Sequence, residues 1–160
     1  MSGDAHVRFW ESAGVQFPRA THLPLHRLEG IFARHGVEVS RKTMCDWMAR
    51  AAELYSPIVA VMKLKVLRSG VIQSDDTTVP VQDKMRPGKT ATGRLWTYLG
   101  DRHHPYTLFD YTPDRSRDGP QRWLEGFEGY LQADAYSAYD EIYAGGKVIE
   151  VGCHAHARRY

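Results

Sequence analysis

A chain of 160 residues has room for one full domain, or for one domain with a small appendage. With 42% apolar and 25% charged residues it can bury a real core behind an ordinary charged surface, and a net charge of +2 identifies no partner. Two distant cysteines, Cys45 and Cys153, exclude a disulfide framework and point to a reducing cytosol; no apolar run nears the ~20 residues of a membrane span, and the N-terminus lacks signal-peptide order.

Charge is uneven along the chain. Residues 1–70 hold ten Lys/Arg against six Asp/Glu, and residues 71–160 hold eleven against thirteen. A basic front and an acidic back suit a nucleic-acid-binding appendage on a metal-binding domain, and equally suit chance variation of solvated charge.

Residues 1–21 read as an irregular leader whose Phe9, Trp10 and Phe17 ask for a covering surface. Residues 22–69 read as helical. A first helix opens at Pro24, sets Leu25, Leu28, Ile31 and Phe32 on one face, and stops at Gly36. Ser40 is the expected N-cap of a second helix from Arg41 to about Tyr55, with an apolar stripe of Met44, Trp47, Met48, Ala51 and Tyr55. Helix, Gly-containing turn, helix is the helix-turn-helix layout, and a plain helical hairpin gives the same string. Outward Arg41, Lys42 and Arg50 are candidates for DNA contact. Pro57 opens a third helical stretch, Ile58 to about Arg68, which reads as a connector.

From Val71 the period becomes that of strands, and residues 70–160 read as one core. Strands are expected at 71–79, 94–100 and 106–111, as an antiparallel meander. The loop 82–93 carries the basic candidates Lys84, Arg86 and Lys89. A short helix from Pro120 carries Trp123, Leu124 and Phe127 into a fourth strand at 130–134, and a crossover helix implies a parallel neighbour. A helix over 136–144, a fifth strand over 147–152 and the start of a further helix follow. Three strands, helix, strand, helix, strand, helix is the ribonuclease-H-like order: an α/β fold with a mixed five-stranded sheet and flanking helices. An unrelated three-layer α/β fold gives the same string.

In that order the first and fourth strands lie side by side. Asp75 or Asp76 would then meet Asp134 at one sheet edge. Hard carboxylate oxygens suit Mg²⁺ or Mn²⁺, and a pair of such ions can activate an attacking oxygen and stabilise a leaving one in phosphodiester chemistry. The bland alternative is three carboxylates sitting in water at strand ends. A complete site of this class asks for a third acid on a later helix. Asp140, Glu141 and Glu150 do not lie where it is expected. Cys153, His154 and His156 are close enough to suggest zinc but lack the paired spacing of a finger, so a packed cysteine and a polar helix start stand against it. Arg158 and Arg159 are further candidates for phosphate contact. No phosphate loop, Ser-His-Asp order or dinucleotide fingerprint is present.

The strings HLPLHRLEGIFARHGVEVSRKTMCDWM, SDDTTVPV, GRLWTYLGD, FDYTPDRS, GYLQADAYSAYD and KVIEVGCHAHARRY, in this order, resemble transposases of the insertion sequence 66 family, the TnpC type. The resemblance covers about residues 22–160. It implies a DDE-type transposase, with a helical DNA-binding front and a ribonuclease-H-like core holding an Asp, Asp, Glu triad. The implied reaction is metal-dependent hydrolysis at the element's end, then attack of the 3′-hydroxyl on target DNA. The family pattern Ala-Asp-Glu-Thr maps onto Ser74-Asp75-Asp76-Thr77. Asp75 therefore takes the first acid and Asp76 stands for a Glu neighbour; the second acid maps onto Asp134. The implied cofactor is Mg²⁺ or Mn²⁺, held by Asp75 and Asp134. The implied partners are element-end and target DNA, with a homo-oligomer or full-length transposase beside them, no membrane, and a cytoplasmic, nucleoid-associated location. Family proteins are longer, with zinc-finger-like Cys motifs not found here, and the third acid has no counterpart. The expectation is a truncated or inactive copy; the alternatives are a non-catalytic DNA-binding or assembly fragment and an unrelated ribonuclease-H-like nuclease.

Overall fold

The computed structural model describes residues 25–83, 86 and 88–158. The leader, Lys84 and Arg159 lie outside them. Contacts divide the chain into two compact units, Met1–Pro57 and Ile58–Tyr160.

In the first unit, helix α1 runs over Leu25–Arg34. It stops as its composition predicts: Gly36 takes φ +75°, a left-handed conformation that costs glycine little, and its N–H bonds back to Ala33. Helix α2 begins at Arg41. Ser40 caps it, its Oγ accepting the Thr43 N–H at 3.1 Å. The Arg41 N–H, another orphan of the first turn, donates to Glu29 Oε1 at 2.8 Å and so ties α2 to α1.

One expectation fails on α2. The helix does not end near Tyr55 and restart after Pro57; it runs unbroken over Arg41–Val66 with Pro57 inside. Proline removes one i to i−4 bond, to the Glu53 carbonyl, and the remaining ladder carries the helix through. Among the described residues the apolar stripe is largely open. Met44 is buried, but Trp47, Met48 and Tyr55 are each more than half exposed, as are Leu54 and Ile58.

In the second unit the end of α2 leads into a mixed five-stranded sheet of order β3-β2-β1-β4-β5. The strands are β1 (Val71–Gln82), β2 (Thr90–Leu99), β3 (Thr107–Thr112), β4 (Gly129–Ala133) and β5 (Val148–Gly152). The first three are antiparallel, while β4 runs parallel to β1 and to β5. The hairpin is longer than its hydrophobic pattern suggests, pairing as far as Gln82 with Thr90. Its loop is shortened by backbone bonds from Asp83 to Lys89 and from Lys89 to Arg86. β4 reaches only Gln73 of β1, so Pro80 sits where one side of β1 is unpaired and a missing donor is tolerated.

The connections are short. Helix α3 (Asp118–Trp123) precedes β4. The segment expected as one helix over 136–144 is a 3₁₀ turn, Ser137–Tyr139, followed by helix α4 (Asp140–Ala144). Helix α5 is a single turn, His154–Ala157.

The core lies on one face of the sheet. Ile72, Trp96, Tyr98, Leu108, Leu131 and Val148 meet Val66 of α2, Trp123, Leu124 and Phe127 around α3, and Tyr139. Tyr98 stacks on Trp123 at 3.7 Å between centroids, and Trp96 meets Tyr139 edge-on at 6.2 Å. The Trp96 indole N–H is satisfied by Thr112 Oγ1 at 2.8 Å. The opposite face leaves Val71, Leu99, Tyr111, Tyr130 and Ile149 between 36% and 50% exposed. An α/β architecture with this sheet order is compatible with the ribonuclease-H-like expectation.

Candidate active site

Strand alternation separates the two neighbouring acids of β1. Ile72, Ser74 and Asp76 point to the core side, and Gln73 and Asp75 to the opposite face. Ser74 is buried, and its hydroxyl shares a 2.9 Å hydrogen bond with Tyr139. That bond ties β1 to the turn just after β4, the segment that carries Asp134. Burial pushes the Tyr139 phenol above its ordinary range, so it stays neutral.

Asp76 has a side chain only 3% exposed and is clasped by two arginines. Arg94, on the neighbouring strand, reaches Asp76 Oδ2 with Nη1 at 2.8 Å. Arg115, in the loop after β3, reaches Asp76 Oδ1 with Nη2 at 2.7 Å and with Nε at 3.1 Å. Arg115 Nη2 also donates to Asp134 Oδ2 at 3.1 Å. The guanidinium lies 3.7 Å from the Tyr136 ring centroid, and the Tyr136 hydroxyl donates to the Arg115 carbonyl. The hydrogen bond to Asp76, above all, raises the Arg115 pKa and holds the group charged. Two acids and two arginines thus meet with their charges balanced.

Asp75 stands differently. Its side chain is 57% exposed, and Oδ1 lies 3.5 Å from His156 Nε2 on α5. The Asp76 N–H donates to the same oxygen at 2.8 Å. Asp75 and His156 open onto a cleft of about 270 Å³ lined also by Gln73, Thr97, Gln132 and Cys153. The parallel register pairs Val71 with Tyr130 and Gln73 with Gln132. Beyond that pairing Asp134, which follows β4 directly, shares Arg115 with Asp76, the acid on the other face from Asp75.

Among the described residues, no three of His, Cys, Asp and Glu are grouped closely enough to hold a metal ion. That covers Cys153, His154 and His156 as a zinc set. A hard divalent cation wants several uncompensated oxygens. Here Asp76 and Asp134 already accept from a guanidinium. As arranged, these residues do not fit a divalent ion. The other acids weighed as a third ligand are elsewhere: Glu141 on α4 accepts from Gln121 at 2.6 Å and from Arg117, bonds that lower its pKa, and Glu150 is exposed on β5.

The DNA-contact candidates do not form one group. Arg41 and Arg50 are exposed on α2, but nine residues are about 2.5 turns, which sets them on opposite sides of the helix. Lys42 pairs with Asp46 at 2.7 Å and Arg86 with Asp83 at 2.6 Å, both at the surface. Lys89 is exposed. Lys84 lies outside the described residues.

Sequence reasoning missed Arg94, Arg115, Ser74, Tyr136 and Tyr139. The one available signal was the pair of arginines in the loop TPDRSRDG, close before the strand that delivers Asp134. Nothing local marks Arg115 as the partner of an acid 39 residues earlier.

A family model described as "Transposase IS66 family" matches residues 18–160. Among curated proteins, the chain is similar to the uncharacterized proteins y4hP, y4qI and y4jD of Sinorhizobium fredii. They are 32%, 34% and 30% identical to it, over 86%, 88% and 88% of its length. The chain spans 26%, 28% and 30% of theirs.

Proposed function

This chain belongs to the transposase IS66 family, and from that membership we propose that it forms part of a DNA transposase whose two strand-borne acids are Asp75 and Asp134. What supports this reading is the parallel pairing of β1 with β4, the strand that bears Asp75 beside the strand that Asp134 follows. The sheet order supports a ribonuclease-H-like core for residues 70–160, and family membership is the ground for assigning residues 22–69 to DNA contact.

Asp75 is preferred over Asp76 on chemical grounds. Asp76 is buried and neutralised by two arginines, whereas Asp75 opens onto a cleft and keeps a solvated carboxylate. A group that acts on a phosphodiester must be reachable. The substrate in this reading is the DNA of element ends and target, and the reaction class is polynucleotidyl transfer. Asp75 would face the DNA from the open cleft, with His156 beside it. No step is assigned to a divalent ion, because the described residues do not fit one.

The test is a strand-cleavage and strand-transfer assay on element-end DNA, using a full-length family member and this chain in parallel. Asn at the positions matching Asp75 and Asp134 is expected to abolish transfer in the full-length protein, while Asn at the position matching Asp76 acts through stability. Unchanged transfer without the Asp75 carboxylate would sink this reading.

A second reading has its own support: the uncovered apolar side chains of α2, beside exposed Arg41 and Arg50. It makes the chain a non-catalytic DNA-binding or assembly component. Metal-free binding to element ends that weakens steeply with salt, without cleavage, would favour it. No described helix is long and apolar enough to cross a membrane.

A further inference from the structure

We propose that Arg115 is a positioning residue that serves as the built-in counter-cation of Asp134, so that a divalent ion can engage Asp134 only by displacing its guanidinium. This concerns how Asp134 is held, and it stands or falls independently of whether the chain acts on DNA.

The argument starts from charge. Two carboxylates brought together without compensation repel, and protein sites answer with a metal ion or with a fixed side-chain cation. Here the answer is present in the chain. Arg115 donates to both acids, from Nη2 and Nε to Asp76 and from Nη2 to Asp134. Arg94 supplies the second positive charge to Asp76. The planar fork of a guanidinium suits such a bridge, whereas a lysine ammonium would be a single point charge.

Arg115 is itself held in place. Its guanidinium lies over the Tyr136 ring, and its carbonyl takes the Tyr136 hydroxyl. Tyr136 comes two residues after Asp134, so one short segment carries both the acid and the platform for its cation. The buried Asp76 anchors the far side of the fork. Asp134 is the more open partner, 24% exposed against 3%, and is therefore the one from which the guanidinium can part.

The experiment is a Mn²⁺ titration of the full chain, with free Mn²⁺ read by electron paramagnetic resonance and folding followed by near-ultraviolet dichroism and thermal melting. The probe is Mn²⁺ alone. The unaltered chain is expected to show no saturable site tighter than about 1 mM. Arg115→Ala is expected to melt roughly 5 °C lower or more, to bind Mn²⁺ about tenfold more tightly, and to regain part of its melting temperature when Mn²⁺ is added. Adding Asp134→Asn to that variant should remove the gained binding. If Arg115→Ala does not fold, Arg115→Lys decides: it keeps the charge, loses the fork, and must bind Mn²⁺ more tightly than the unaltered chain. Equal affinity with and without the Arg115 guanidinium overturns the proposal, as does a sub-millimolar site in the unaltered chain that depends on Asp134.

Discussion

The helical unit and the sheet unit treat the same kind of apolar signal in opposite ways. On β1 and β2, alternating apolar residues are sealed beneath α3, α4 and the end of α2, and Trp96 and Tyr98 are fully buried. On α2 within residues 41–57, an equally regular stripe is left open, with Trp47 56% and Leu54 74% exposed. Periodicity tells which side chains share a face. It does not tell whether that face has a partner within the same unit. A sheet that folds its own crossovers back over itself supplies one; among the described residues of the first unit, most of the α2 face stays open.

The sharpest way to break this contrast is to truncate one tryptophan in each unit. Trp96→Ala should cost about 3–5 kcal/mol in urea unfolding, since it removes a close-packed ring and leaves Thr112 without its donor. Trp47→Ala should stay within about 0.5 kcal/mol. A large loss at Trp47 would mean that the α2 face is covered in solution, and the contrast would fail.

The two neighbouring acids of β1 sharpen it at the scale of one residue. Asp76→Asn should destabilise by about 2–4 kcal/mol, because it strands Arg94 and Arg115 around a weaker acceptor. Asp75→Asn should change stability by no more than about 0.5 kcal/mol. Equal effects would show that the pleat does not separate the pair. Next comes Tyr139→Phe, which removes the buried bond to Ser74 and should cost about 1 kcal/mol by denaturant melts.

The smallest effect is in pH. The Gly70 N–H, with those of His103 and His104, holds Asp101 below the ordinary carboxylate range, and Ser116 does the same for Asp114. A depressed folded pKa contributes stability that is fully present above the unfolded value of about 4 and is lost as pH falls through the lower folded value. Melting temperature should therefore be nearly flat from pH 7 to 5 through these groups and decline below about pH 4. Asp101→Asn should flatten that decline. An unchanged acid limb in the variant would remove Asp101 from the account.

Much of the sheet unit was legible because its signals are local. The strand periods, the helix between β3 and β4, and the element order they make led to the observed pairing of β1 with β4. Gly129 takes φ +147° and lies so close to the Gly70 carbonyl that a side chain there would collide with it. The unbroken α2 was not legible, because proline reads as a boundary while one lost hydrogen bond does not end a 26-residue helix. Loop 83–89 was read too wide because Thr90, Thr92 and Gly93 look like loop residues until they pair with β1. Of the candidate site, Asp75, Asp76 and Asp134 were visible as acids beside strands, although β1 runs on to Gln82 and sets the first two inside it rather than at its end. The arginine clasp was not, since a loop arginine carries no sign of its distant partner.

The pleat at Asp75 and Asp76 has a consequence for insertions. Because side chains alternate with a period of two, a single residue inserted or deleted between Ile72 and Asp75 would turn each acid to the other face of the sheet. An insertion would bring Asp75 into the clasp and Ser74 to the cleft; a deletion would bring Asp76 to the cleft and Thr77 to the clasp. Either slip would leave one of the two addresses without an acid. A doubled aspartate thus keeps one acid in place through a slip that would empty a site built on a lone carboxylate.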